Sequence, residues 1–280
     1  MSQPSSPVVS MTEQERISQV QRQKRKNDYF LAMLSIAGVL AFIILWQVAV
    51  LLDWLPRRYV PMPTEVVKLF FTKLVDPNPD GATLEAHILA SMQVALTGFG
   101  LAIVIGVPLG LFMGWFRAFD KFMRPVFEIL RPIPPVSWIP MTIIWMGVGL
   151  KAKAFIVFFS AFVPCVINAY TGIRQTSQLL INFSKTCGAP TFVIFYKIGI
   201  PSAMTLTFAG VRVALGNAWA TLVAAEMLAA STGLGYMIQQ GRQFARPDII
   251  ILGIVAIGSI GVAFTWLLGQ VERRVLRWKR

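Results

Sequence analysis

Five stretches of the chain carry no charged residue over the length of a membrane span: Leu31–Leu52, Ile88–Phe116, Pro132–Leu150, Ala154–Ile173 and Ile249–Val271. A sixth, Ile198–Gly241, is interrupted only by Arg212 and Glu226. An α-helix needs roughly 20 apolar residues to cross the hydrocarbon core. The spacing therefore predicts an all-α integral membrane protein with six transmembrane helices. The fifth is expected from Pro201 to about Ala230, followed by a Gly-rich turn. Between the first two spans, Pro63-Thr64-Glu65 reads as a helix start. Val66, Val67, Phe70, Phe71 and Leu74 then share one helical face, which predicts a short amphipathic helix on the outer surface.

Composition sharpens this picture. Of 280 residues, 55% are hydrophobic and 14% charged, yet the net charge is +13. So apolar a chain is not disordered. A nucleic-acid-binding domain would mix its charges through the sequence, whereas here they sit between neutral runs. With both termini cytoplasmic, sixteen basic residues lie inside, among them Arg16, Arg117, Lys121, Arg124, Lys185 and Arg273. Eight lie outside, among them Arg57, Lys73, Lys153 and Arg246, so the positive-inside rule favours that orientation. The organisation expected is a cytoplasmic tail (residues 1–28), a six-span domain (29–271) and a basic cytoplasmic end (272–280). The tail is expected to be disordered, leading into a short helix. The first span is too long for a signal peptide and no small-x-small cleavage site follows it.

Irregularities inside the spans carry the candidate chemistry. Prolines 132, 134, 135 and 140 cannot belong to one continuous helix, so a helix over about Asp120–Arg131 should break and restart near Val136. Freed backbone groups at membrane depth are tolerated in protein or beside a wet cavity. Arg131, Pro134, Pro135 and Trp138 are thus candidates for the solute path, with a cytoplasmic-side elbow as the alternative. Charges inside spans are costly and point to function, which singles out Glu226, with Asn217, Trp219 and Thr221 on the same predicted helix. Arg212 lies too far along that helix to pair with Glu226. Gly106, Gly110 and Gly114 let another helix approach closely, by preference within one subunit. His87 lacks partners at metal-ligand spacing and is expected at the interface; no metal site is expected. Cys165 reads as a small apolar residue and Cys187 as a cytosolic thiol. Neither a phosphate-binding loop nor a catalytic motif is present, so uphill transport would draw on an ion gradient or a partner.

The loop between the fourth and fifth spans, residues 174–200, gathers aromatic residues in a cytosolic segment. Gly188 can end one helix and Pro201 can start the next. Phe183, Phe192, Phe195 and Tyr196, with Ser184, Lys185 and Ala189, make a docking surface for another protein.

This loop resembles the coupling loop of ATP-binding-cassette (ABC) importer permeases. Gly188 and Ile198-Gly199-Ile200-Pro201 stand at that family's spacing, while Asn182, Phe183 and Ser184 replace its Glu-Ala-Ala triplet. Tyr59–Glu65, Arg131–Pro140, Trp145-Met-Gly147, Gly216–Glu226 and Gly233–Met237 are similar to its nitrate, sulfonate and taurine branch. The resemblance implies the type I ABC importer permease fold, with transport by alternating access and no bond chemistry in this chain. It implies a homodimer in the bacterial inner membrane, two cytosolic ATPase subunits carrying ATP and Mg, and an external solute-binding protein. No cofactor is expected in this chain and no nucleic acid as partner. The expected cargo is a small anion such as taurine, sulfonate or nitrate. An aromatic carboxylate, a thiamine or riboflavin precursor, or a stand-alone secondary transporter are the alternatives.

Overall fold

The structure, a computed structural model, describes residues 13–276. Its contacts divide the chain between Glu65 and Val66. The first unit is one helix, α1 (Glu13–Leu51), and the loop after it. The helix is continuous through the basic segment, so no separate short helix precedes the first span. The disorder expected at the extreme N-terminus falls on residues 1–12, outside the described residues. Apolar side chains of α1 such as Phe30, Leu34, Phe42 and Leu45 are exposed, as a lipid-facing helix requires. At the end of this unit the Met62 amide donates to Glu65 Oε2 at 3.0 Å, which closes the first turn of α2 (Pro63–Lys73).

The second unit continues α2 and holds α3 (Leu84–Trp115), α4 (Arg117–Leu130), a 3-10 turn (Pro135–Trp138), α5 (Ile139–Met146) and α6 (Leu150–Arg174). Then come α7 (Gln178–Thr186), α8 (Thr191–Ile194), a π turn (Phe195–Gly199), α9 (Ile200–Ala229), α10 (Leu234–Gln243) and α11 (Pro247–Val275). No strand occurs among the described residues. The amphipathic face expected on α2 is split. Val67, Phe70, Phe71 and Leu74 face outward, whereas Val66 is buried and Lys73 is turned fully inward.

Among the described residues, five helical segments are long and apolar enough to cross a membrane: Met33–Leu51, Leu84–Trp115, Leu150–Arg174, Thr191–Leu228 and Pro247–Val275. The third expected span is corrected by the structure. Instead of a helix over Pro132–Leu150 there is a 3-10 turn and an eight-residue α5, about 12 Å long at 1.5 Å per residue. The prolines remove backbone donors, and Gly147 at φ +75° ends α5.

The chain nevertheless crosses here, as the packing of α3 on α6 shows. A Cβ on Gly98 would meet the Ala154 carbonyl at 2.6 Å, one on Gly110 the Val166 carbonyl at 2.4 Å, and one on Gly114 the Tyr170 carbonyl at 2.8 Å. Partner numbers rise together, so the two helices are parallel. Parallel neighbours demand that the chain between them return the full length of the pair. The broken segment is that return. The glycine seam thus packs two helices of one subunit at backbone contact.

Helix α6 is the centre of the unit. Ala154, Val157, Ala161 and Cys165 pack with Val94, Ala102, Val211, Ala214 and Leu222. Helix α9 runs antiparallel to α6, with a Cβ on Gly172 meeting the Ala203 carbonyl at 2.8 Å and Ser160 bonded to Thr221 at 2.8 Å. Helix α11 closes on α9 through the Trp219 indole N–H, which donates to the Ile257 carbonyl at 3.0 Å. At the other end of α11 Arg212 pairs with Glu272, the partner its position in a span requires.

Candidate translocation and docking sites

Two regions gather the functional side chains: the loop after α6, and the four faces of α9. In the loop, α7 ends in a Schellman turn. The Ala189 amide donates to the Ser184 carbonyl at 3.0 Å and the Gly188 amide to the Lys185 carbonyl at 2.9 Å. This closure needs a residue at positive φ, and Gly188 sits at +77°. Nothing lies within 4 Å of where its Cβ would be, so glycine is required there by backbone conformation and not by space. Pro190 then turns the chain into α8, and Pro201 lies in the first turn of α9.

This loop displays apolar surface. Leu179, Phe183, Phe192 and Tyr196 are 64–78% exposed. Phe195 departs from expectation: it is 3% exposed. Its ring lies 5.4 Å from Phe112, 5.6 Å from Trp115 and 5.5 Å from Phe116. A π turn begins at Phe195, and there the Phe192 and Tyr196 rings point outward while the Phe195 ring pins the loop to the end of α3. Ser184 and Ala189 are half-buried, and Lys185 and Pro201 are exposed.

The path candidates separate by direction. Arg131 and Pro134 are exposed, Pro135 and Trp138 half-buried. Trp138 stacks near Trp145 at 6.4 Å and Phe159 at 5.6 Å. On α9, Asn217 is exposed on an open stripe with Ala209, Val213, Gly216 and Ala220. Trp219 faces α11, against Phe264 at 5.3 Å, and Thr221 faces Ser160 of α6. Glu226 is fully buried. The structure therefore places Asn217, Arg131 and Pro134 at open surface, leaves Pro135 and Trp138 half-buried, and turns the other α9 residues into packing and hydrogen bonding.

What surrounds Glu226 was not visible in the sequence. Helix α10 begins with three backbone N–H groups that lack an intrahelical partner. The Gly233 amide donates to His87 Nδ1 at 3.0 Å, the Leu234 amide to Ser91 Oγ at 2.8 Å, and the Gly235 amide to Glu226 Oε2 at 2.9 Å. The Ser91 hydroxyl in turn reaches both Glu226 oxygens at 2.8 Å. Two other helices thus cap α10, and the carboxylate also meets the positive end of its dipole. Gly233, at φ +133°, leaves room for this, since a Cβ there would stand 2.5 Å from the Glu226 carboxylate. With Nδ1 accepting, the imidazole proton is on Nε2, which lies 3.2 Å from Asp80 Oδ2. Lys73 pairs with Asp80 and donates to the Asn78 and Ala82 carbonyls at 3.2 and 3.1 Å. Burial alone would raise the Asp80 carboxyl, but His87 and Lys73 outweigh it and hold it below its ordinary value. His87 is therefore a fully buried linker and not an interfacial side chain. The one advance signal was the spacing of His87 and Ser91, four residues apart on one helical face.

Among the described residues no group of His, Cys, Asp and Glu side chains is placed to hold a metal ion.

Comparison with known proteins places this architecture. Residues 106–277 match the family described as binding-protein-dependent transport system inner membrane component. A probable ABC transporter permease protein of Brucella abortus is 34% identical over 79% of this chain and 86% of its own length. The taurine transport system permease protein of Escherichia coli strain K12 is 29% identical over 88% of this chain and 89% of its own. In structure, the MetNI methionine ABC transporter in an inward-facing conformation aligns with a TM-score of 0.58 at 19% identity. That alignment covers 69% of this chain and 94% of that one, and it shows a shared fold. The parallel α3–α6 pair, the broken crossing and the exposed Gly188 loop are thus parts of a type I permease, and the chain belongs to the binding-protein-dependent transport system inner membrane components of ABC importers.

Proposed function

We propose that two copies of this chain form the translocation pathway of an importer for a small sulfonate such as taurine. The substrate class rests on the taurine relative, which matches over most of both chains. Two separate ATPase subunits, carrying ATP and Mg, dock on Phe183, Phe192 and Tyr196 around the Gly188 turn. An external solute-binding protein delivers the cargo to the opposite end. The chain lies in the bacterial inner membrane with both termini cytoplasmic, in accord with its basic residues. Asn217 and the Arg131–Trp138 segment shape the pathway, while Trp219, Thr221 and Glu226 hold α9 in register with its neighbours.

The observation that carries this reading is the exposed aromatic pair Phe192 and Tyr196 on a loop whose third ring, Phe195, is locked into α3. Force applied to the outer rings reaches the bundle through the inner one. Reconstitution with the ATPase and binding-protein subunits tests it. Taurine-loaded binding protein should stimulate ATP hydrolysis and uptake together. Uptake that persists without any ATPase subunit would sink the proposal, and stimulation by other anions but not taurine would reject the substrate class alone.

A further inference from the structure

At the Trp115–Arg174 end of the bundle, α4 and α7 enclose a pocket of about 690 Å³ that the transport pathway does not account for. Five of its lining side chains are basic: Arg117, Lys121 and Arg124 from the α4 side, Arg174 from the end of α6, and Lys185 from α7. Asp120 is the only carboxylate in the wall. It is matched by Arg124 at 3.2 Å. Among the described residues, Arg117, Lys121 and Lys185 have no carboxylate within 4.0 Å, and Arg174 is bonded to the Tyr170 hydroxyl. So many cations around one cavity repel each other unless an anion sits among them.

A second observation points to a ligand. Thr176 lines the same pocket, is 4% exposed, and its hydroxyl has no hydrogen-bond partner. Oδ1 of Asp120 is likewise buried without a partner. An unpaired buried polar atom costs free energy, so two in one basic pocket call for a group that is both anionic and able to bond them. The pocket needs oxygen acceptors for its cations and one hydroxyl proton for Asp120. A phosphate monoester or inorganic phosphate supplies both near neutral pH; sulfate lacks the proton.

We propose that this pocket binds a phosphate group, held by Arg117, Lys121, Arg174 and Lys185, with Thr176 donating to it and its own proton donated to Asp120. The phosphate comes from a soluble species or from a lipid headgroup at the membrane surface. Either way it bridges α4 and α6 to α7, and so clamps the docking loop to the bundle. The substrate of transport plays no part in this argument.

Full-length chain in detergent, titrated at pH 7 and constant ionic strength with inorganic phosphate, sulfate or chloride, provides the test. Thermal unfolding and hydrogen exchange of amides 176–186 are the readouts. Phosphate should protect the segment saturably, and sulfate more weakly. Lys121→Gln should weaken phosphate binding about tenfold, the scale of one lost charged hydrogen bond. Thr176→Val keeps the side-chain shape, so it should leave unfolding without phosphate unchanged yet weaken binding several-fold. The second arm uses nanodiscs of phosphatidylcholine with and without phosphatidate. A single phosphatidate retained in native mass spectra, and lost in Lys121→Gln, with no effect of free phosphate, assigns the lipid source. Equal responses to all three salts, no response to phosphate or phosphatidate, or wild-type binding by both variants would each overturn the proposal.

Discussion

Replacing Ser91 with alanine removes a single oxygen, yet that oxygen joins three helices. It accepts the Leu234 amide at the start of α10 and donates to the Glu226 carboxylate on α9, each at 2.8 Å. In Ser91→Ala the Leu234 N–H is left buried without a partner, a cost of about 1–3 kcal/mol. The hydrogen bond to a carboxylate is lost as well, about 1.5–3 kcal/mol. Alanine returns only about 0.5 kcal/mol through its better helix propensity. The net expected loss is therefore roughly 2–5.5 kcal/mol. Ser160→Ala is the control: it breaks a neutral hydroxyl pair with Thr221, worth about 1 kcal/mol, and strands no backbone group. Thermal unfolding of the two purified variants gives the comparison, and hydrogen exchange at Leu234 locates the damage. If Ser91→Ala and Ser160→Ala lose equal stability, and the Leu234 amide stays protected, the shared cap does not hold α10 and the reasoning fails.

Further outcomes follow from other contacts. Gly110→Leu should destabilise by about 1–3 kcal/mol in the same unfolding assay, because the obstacle is the Val166 carbonyl and not a flexible side chain. Gly100→Ala, with nothing within 4 Å, should be neutral or slightly stabilising. Gly188→Asp places a side chain at φ +77°; it should uncouple ATP hydrolysis from uptake while the protein still inserts, measured in proteoliposomes. Phe195→Ala should cost about 3–5 kcal/mol through its lost aromatic packing, whereas Tyr196→Ala should leave stability intact and weaken ATPase pull-down. Because Asp80 is held below its ordinary value of 3.8, its contribution is complete above that pH and is lost as pH falls through the lowered value. Hydrogen exchange near residues 73–87 should accelerate on acidification below that point in the wild type and be flat in Asp80→Asn.

The sequence made the long spans legible because lipid imposes one rule on every residue of a run. It also announced the break after Arg131, since proline at four nearby positions has one backbone meaning. What proline does not say is how much helix survives beyond it, and α5 proved to be eight residues long. Glu226 was conspicuous as a charge in an apolar run. Its hydroxyl partner was not, for Ser91 lies more than a hundred positions away and is an ordinary residue on its own helix. Phe195 shows a related limit. Spacing grouped it with Phe192 and Tyr196, but a π turn begins at Phe195, and that ring is buried in the wall of α3.

The glycine seam has a consequence for how sequences of this kind can drift. Gly98, Gly106, Gly110 and Gly114 face carbonyls of α6 at fixed offsets along both helices. One residue inserted in either helix would turn everything beyond it by about 100° and bring side chains where only hydrogen atoms fit. Length changes must therefore collect outside the seam, in the turns before α2 and α3 and around Gly147–Gly149. The two helices behave as a ruler with matching marks, against which the rest of the chain is measured.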